Sequence, residues 1–205
     1  ELQGTLGRNY AREEGEPEEV ARAVGEQYLP RFAGDLLPET GAGTALALAD
    51  KLDTIVGIFA IGQKPSGTKD PFGLRRAALG ILRILLEKRV ELDLAGLTSR
   101  ALELVRESAP ALKGAAGDVE AQVYDYVMER LRGYYLETAA ESGVTTERFD
   151  AVLATKPRSP LDFDARLRAL AGFLALPEAA SLTAANKRIA NILRKRASGE
   201  ADTAA

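Results

Sequence analysis

ALALADKLDTIVGIFAIGQKPSGTKDPFGLRRAALGILRILL, residues 45–86, reads as an apolar helix, a Gly/Pro loop and a second apolar helix. From Thr44 to Ile61 only Gly57 interrupts the helical pattern, and Leu48, Ala49, Leu52, Ile55, Val56 and Phe59 cover one broad side. That width predicts a helix buried over most of its surface. Asp50 and Asp53 lie three apart, on one face beside the apolar side. The loop from Gly62 to Lys69 holds two glycines and a proline and should break the helix. Asp70-Pro71 then reads as an N-cap followed by proline at the first helical position. Leu74, Ala77, Ala78, Ile81, Leu82 and Leu85 form the second apolar stripe. Arg76, Arg83 and Glu87 lie opposite, with Arg83 and Glu87 spaced for an ion pair. The rest of the chain has to supply helices that pack around this pair.

It has the means to do so. The 205 residues are 46% hydrophobic and rich in Ala, Leu, Arg and Glu, all helix formers. No run alternates with period two, so the predicted fold is all-α and multi-helical, in one or two domains. Cysteine and histidine are absent. Disulfides, thiol nucleophiles and Cys metal sites are thereby excluded, as are the usual base near neutral pH and the commonest metal ligand. No apolar run approaches the roughly twenty residues of a membrane span, and the start is not a signal peptide. A net charge of −3 exerts no global pull on nucleic acid, so any such binding must rest on local patches. Glu1-Leu-Gln-Gly reads as the middle of a longer polypeptide.

Along the chain, Leu2 to Arg12 predicts a short helix weakened by Gly4 and Gly7, and Pro17 opens another that runs to about Tyr28. Pro30 to Gly43 reads as a long, shaped loop. After the central pair, Leu94 to Ser108 is amphipathic through Leu97, Ala101, Leu104 and Val105, and Pro110 to Gly117 is a break. Asp118 to Ala140 is a longer helix with Val119, Val123, Tyr126, Val127, Leu131 and Tyr134 as its stripe. Helices follow over Thr146–Thr155, Leu161–Leu174 and Leu182 to about Arg196, with a stiff turn at Lys156–Pro160. Ser198 to Ala205 reads as frayed. The expected domain boundary lies near Gly143, between 1–143 and 144–205.

Four patterns bear on chemistry. Gly62 to Lys69 superficially resembles a phosphate-binding P-loop, but Thr68 precedes Lys69 where the pattern needs Gly-Lys-Ser/Thr, and no strand leads into it. Lys64, Lys69, Arg75 and Arg76 cluster around a helix N-terminus, where an anion is favoured; pairing with local acids is the better reading. Asp50 and Asp53 could hold magnesium weakly through water, but a salt bridge or inter-helix hydrogen bond is the more economical role. The last helix carries the clearest binding signal. Lys187, Arg188, Asn191, Arg194 and Lys195 share one face, opposite Leu182, Ala185, Ile189, Ile192 and Leu193, and no acid falls between Lys187 and Arg196. Such a helix meets phosphates, an anionic membrane or an acidic protein, or is simply a solvated face near a helix C-terminus. Next to Arg130 and Arg132, Tyr134 fits the core stripe, which leaves Tyr135 as the candidate to stack on bases.

Three stretches carry a family resemblance: ADKLDTIVGIFAIGQKPSGTKDPFGLRRAALGILRILLEK, residues 49–88; LQGTLGRNYAREEGE, residues 2–16; and RSPLDFDARLRAL with LPEAASLTAANKRIANIL, residues 158–193. In order, and over nearly the whole chain, they resemble the β subunit of the bacterial two-subunit glycine–tRNA ligase. The resemblance implies that 1–143 is the later part of an HD-like helical domain. It implies that 144–205 opens an anticodon-binding domain of the DALR-like type shared with arginine–tRNA ligase, which continues past this chain. It further implies a cytoplasmic hetero-oligomer with the α subunit, tRNA(Gly) as a partner, and ATP and magnesium used by the whole enzyme, with no cofactor, metal or catalytic residue in this segment. In HD-type phosphohydrolases, which this region resembles distantly, Asp50 would match a metal-binding aspartate. Every histidine such a site needs is missing, so no metal role is carried over. A remnant phosphohydrolase and a helical scaffold without RNA contact are the rival readings.

Overall fold

The computed structural model describes residues 2–65, 70–110, 118–136 and 143–197. Among these there are nine helices and no strand: α1 (Thr5–Glu13), α2 (Glu18–Glu26), α3 (Gly41–Ala60), α4 (Leu74–Glu87), α5 (Leu94–Ser108), α6 (Val119–Leu136), α7 (Thr146–Leu153), α8 (Pro160–Leu174) and α9 (Ala179–Ala197). The protein is all-α. It divides into two compact units, Glu1–Asp164 and Ala165–Ala205.

In the first unit α3 is the hub, packed against α2, α4, α5 and α6. Leu48, Leu52, Ile55, Val56 and Phe59 are buried as the pattern predicts, and the Phe59 ring packs at a tilt of 57° against the Tyr126 ring, with centroids 5.2 Å apart. Ala49 is an exception: it is exposed, and Ala47 takes its place in the core. The apolar side thus lies slightly to the other side of the wheel. On α4, Leu74, Ala78, Ile81, Leu82 and Leu85 are buried, joined by Ile84, and Arg83 Nε reaches Glu87 at 2.7 Å.

Four helix starts lie three residues from the sequence reading, α1 among them at Thr5 rather than Leu2. α3 begins three residues early, at Gly41, because Thr40 caps it: its hydroxyl accepts from the Gly43 N–H at 2.9 Å. α4 begins three residues after Pro71. Gly73 adopts φ 66° just before it, and the Asp70 carboxylate reaches forward to the N–H groups of Leu74 and Arg75, both at 2.9 Å. α9 likewise starts at Ala179 rather than Leu182.

Two stripes are rotated. On α5 the buried residues are Leu94, Thr98, Leu102 and Val105, while Leu104 is exposed. Thr98 enters the core because its hydroxyl donates to Leu94 O at 2.8 Å and so behaves as an apolar group. On α6 the buried tyrosines are Tyr124 and Tyr135 instead of Tyr126 and Tyr134. Each buried phenol finds an acceptor, Pro157 O at 2.6 Å and an Asp164 carboxylate oxygen at 2.8 Å. Partnered in this way, the ring is inexpensive to bury.

The expected loop before α3 is tightly held. Lys51, itself buried, donates from Nζ to Leu29 O at 2.8 Å, Arg83 donates to Asp35 O at 2.9 Å, and Lys88 donates to Thr44 Oγ1 at 2.8 Å and to Pro38 O. The buried Glu26 carboxylate accepts from both the backbone and the hydroxyl of Thr40, at 3.0 and 2.6 Å. Gly43 is required there, since a Cβ would lie 1.9 Å from Glu26 Oε2. A glycine also explains the approach of α1 to α2: a Cβ on Gly4, with φ 83°, would meet Gly25 O at 2.5 Å.

In the second unit, the end of α8 turns through Gly172 O to Ala175 N and Phe173 O to Leu176 N into α9. Every residue from 180 to 196 on α9 is exposed.

Candidate functional site

The basic face of α9 is formed as the spacing predicts. Lys187, Arg188, Asn191, Arg194 and Lys195 all lie on one continuous, exposed helix, and Arg194 bonds to Asn191 Oδ1 at 2.9 Å. Arg194, Lys195 and Arg196 occupy the last turn, where the helix dipole favours cations. The other face is a surprise. Leu182, Ile189, Ile192 and Leu193 are also half exposed or more, with Ile189 at 56%. The helix therefore presents a cationic and an apolar side at once. Chemically it can meet phosphate oxygens with its charges and protein with its aliphatic groups.

Among its described residues the loop cluster does not assemble as an anion site. Lys69 lies outside the described residues. The Leu74 and Arg75 N–H groups at the start of α4 are taken by Asp70, and the Arg75 side chain is itself engaged in an interaction. Lys64 is exposed on the loop. Arg76 lines the cleft beside α6.

Asp50 takes the structural role: it accepts from Gln27 Nε2 at 3.0 Å and ties α3 to the end of α2. Among the described residues no group of three or more His, Cys, Asp or Glu side chains gathers as a metal site. Lys51, next to it, has its pKa lowered by burial. In the neighbouring loop, Arg31 hydrogen-bonds the Asp35 carboxylate and holds its pKa down at about 2.

The choice between the two adjacent tyrosines is reversed. Tyr135 is 9% exposed, packs on Phe163 and bonds Asp164, so its ring is unavailable for stacking. Tyr134 lines the open cleft. Arg132 bonds Glu129 and Asp150 and lies over Phe149, while Phe163 and Asp164 draw Tyr135 inward, partners too far along the chain for spacing to reveal.

With this geometry in view, the comparison with known proteins decides the family. The glycyl-tRNA synthetase beta subunit family model matches residues 1–154. The chain belongs to that family. It is 56% identical over 195 residues to the glycine–tRNA ligase beta subunit of Hahella chejuensis, and 51% identical over 195 residues to that of Edwardsiella ictaluri, in each case covering 95% of this chain and 27% of the relative. The beta subunit of Acinetobacter baylyi is 50% identical over 204 residues, 98% of this chain and 28% of the relative. The chain thus spans a little over a quarter of the length of these curated relatives. No helix among the described residues is long and apolar enough to cross a membrane.

Proposed function

We propose that this chain is a tRNA-binding and assembly segment of a glycine–tRNA ligase β subunit. In this reading the whole enzyme joins glycine to tRNA(Gly) with ATP and magnesium, in the cytoplasm, as a hetero-oligomer with an α subunit. The chain supplies none of the catalytic residues and none of the ligands for ATP or magnesium. Residues from 144 onward open the anticodon-binding domain, and the basic face of α9 meets tRNA phosphates.

The observation that carries the reading is the exposed cationic run from Lys187 to Lys195 on one side of α9 in a chain of this family. The aliphatic side, Leu182, Ile189, Ile192 and Leu193, supports the assembly half of the proposal, since an exposed apolar row on a helix is a protein-contact surface.

The test is a tRNA(Gly) gel shift with the full-length two-subunit enzyme carrying Lys187→Gln, Arg194→Gln and Lys195→Gln. Weakened binding with unchanged circular dichroism supports phosphate contact. Full affinity in the folded variant removes tRNA from the role of α9 and leaves assembly as its function.

A further inference from the structure

A cleft of about 430 Å³ opens in the first unit between α4, α6 and the loop at residues 30–34. Its walls follow from helical spacing. Arg76, Leu79, Gly80 and Arg83 recur at i, i+3, i+4 and i+7 along α4, and Arg130, Gly133 and Tyr134 at i, i+3 and i+4 along α6, so each helix turns one face inward. Phe32 closes the loop side with a largely exposed ring.

The charges in the cleft are of two kinds. Arg83 is held by Glu87 and Asp35 O, and Arg132 by Glu129 and Asp150. Arg76 and Arg130 have no acidic partner among the described residues. Arg130 sits 5.2 Å over the Tyr126 ring, and its Nε is buried with no acceptor. Two guanidinium groups with no acid beside them draw an anion toward the cleft. The apolar part holds two aromatic rings, Phe32 and Tyr134, together with Leu79.

We propose that this cleft binds one nucleotide unit, its phosphate held by Arg76 and Arg130 and its base laid against Phe32 and Tyr134. The volume falls within the range of small-ligand pockets, and paired aromatic and arginine groups are the usual means of holding an unstacked nucleotide. Phosphate and base together distinguish this ligand from a bare anion or an acidic peptide. A free nucleoside monophosphate and a nucleotide within an RNA strand share that chemistry.

The inference is separate from the reading of α9. Isothermal titration of the full chain with AMP, GMP, adenosine, inorganic phosphate, a poly-Glu hexapeptide and a five-nucleotide RNA tests it. Saturable binding of AMP or GMP identifies the free nucleotide as the source, and saturable binding of the RNA alone identifies the strand. In either case Arg130→Gln and the exposed Arg76→Gln should each weaken binding roughly tenfold. Adenosine and inorganic phosphate should bind at least about tenfold more weakly than AMP. The variant with Lys187, Arg194 and Lys195 changed to Gln should bind the mononucleotide as the unmodified chain does. The proposal is overturned if neither a mononucleotide nor the RNA saturates the protein. It is equally overturned if the peptide or inorganic phosphate binds as well as the nucleotide, or if folded Arg76→Gln binds unchanged.

Discussion

α3 and α9 have similar lengths, 20 and 19 residues, and both show a clear apolar row in the sequence. Ten residues of α3 are buried and four helices pack on it, whereas no residue of α9 from 180 to 196 is buried. The apolar rows look alike and the surroundings differ. Periodicity identifies a face that needs a partner; it does not identify the partner. In α3 the partners are intramolecular helices, and the row becomes core. In α9 the row stays exposed beside a row of cations, and the helix becomes a surface.

Substitutions can break or sharpen this contrast. The largest effect should follow from emptying the hub. Phe59→Ala removes a buried ring in contact with Tyr126 and should cost about 3–5 kcal/mol in denaturant unfolding. A loss well under about 1 kcal/mol would mean that α3 is not the core helix described here. Gly43→Ala should follow, at about 1–3 kcal/mol, because the new Cβ meets the buried Glu26 carboxylate. The same chain with Glu26→Ala should tolerate Gly43→Ala better, so a thermodynamic cycle over the two sites should show coupling.

Asp35 gives a pH signature for the pinned loop. Its folded-state pKa is depressed from 3.8 to about 2 by Arg31. Its contribution to stability is therefore complete above about pH 4, the unfolded value, and is lost as pH falls through the folded value near 2. Asp35→Asn should cost about 1–3 kcal/mol at neutral pH and flatten the stability profile between about pH 4 and 2. An unchanged profile would show that the Arg31–Asp35 pair does not hold the loop. At the small end, Ile189→Ala and Leu193→Ala on α9 should change stability by less than about 0.5 kcal/mol, as surface positions do. A cost of about 2 kcal/mol or more would make α9 a core helix after all.

Much of the fold was legible because helical periodicity and Gly/Pro punctuation are local. The central pair, the Arg83–Glu87 ion pair and the inter-helix role of Asp50 could all be read from spacing. What could not be read depends on partners far along the chain. Tyr124 and Tyr135 are buried because Pro157 O and Asp164 accept their hydroxyl protons, from 33 and 29 residues away. Thr98 looks polar in sequence and is core because it bonds its own helix. Gly4 looks like a helix weakener and is the point where α1 meets Gly25 of α2. At the candidate site, the basic face of α9 was visible as a run of residue types. The cleft was not, since it joins α4 to residues some fifty positions later on α6.

The most direct test of the contrast is the salt dependence of tRNA(Gly) affinity in the two-subunit enzyme, with and without Lys187→Gln, Arg194→Gln and Lys195→Gln. If the cations of α9 meet phosphates, the slope of log K against log salt should fall by up to about 0.9 for each contact removed, while circular dichroism and discrimination among tRNA sequences stay unchanged. An identical affinity and slope in the folded triple variant would contradict the account and leave α9 without a role in RNA binding.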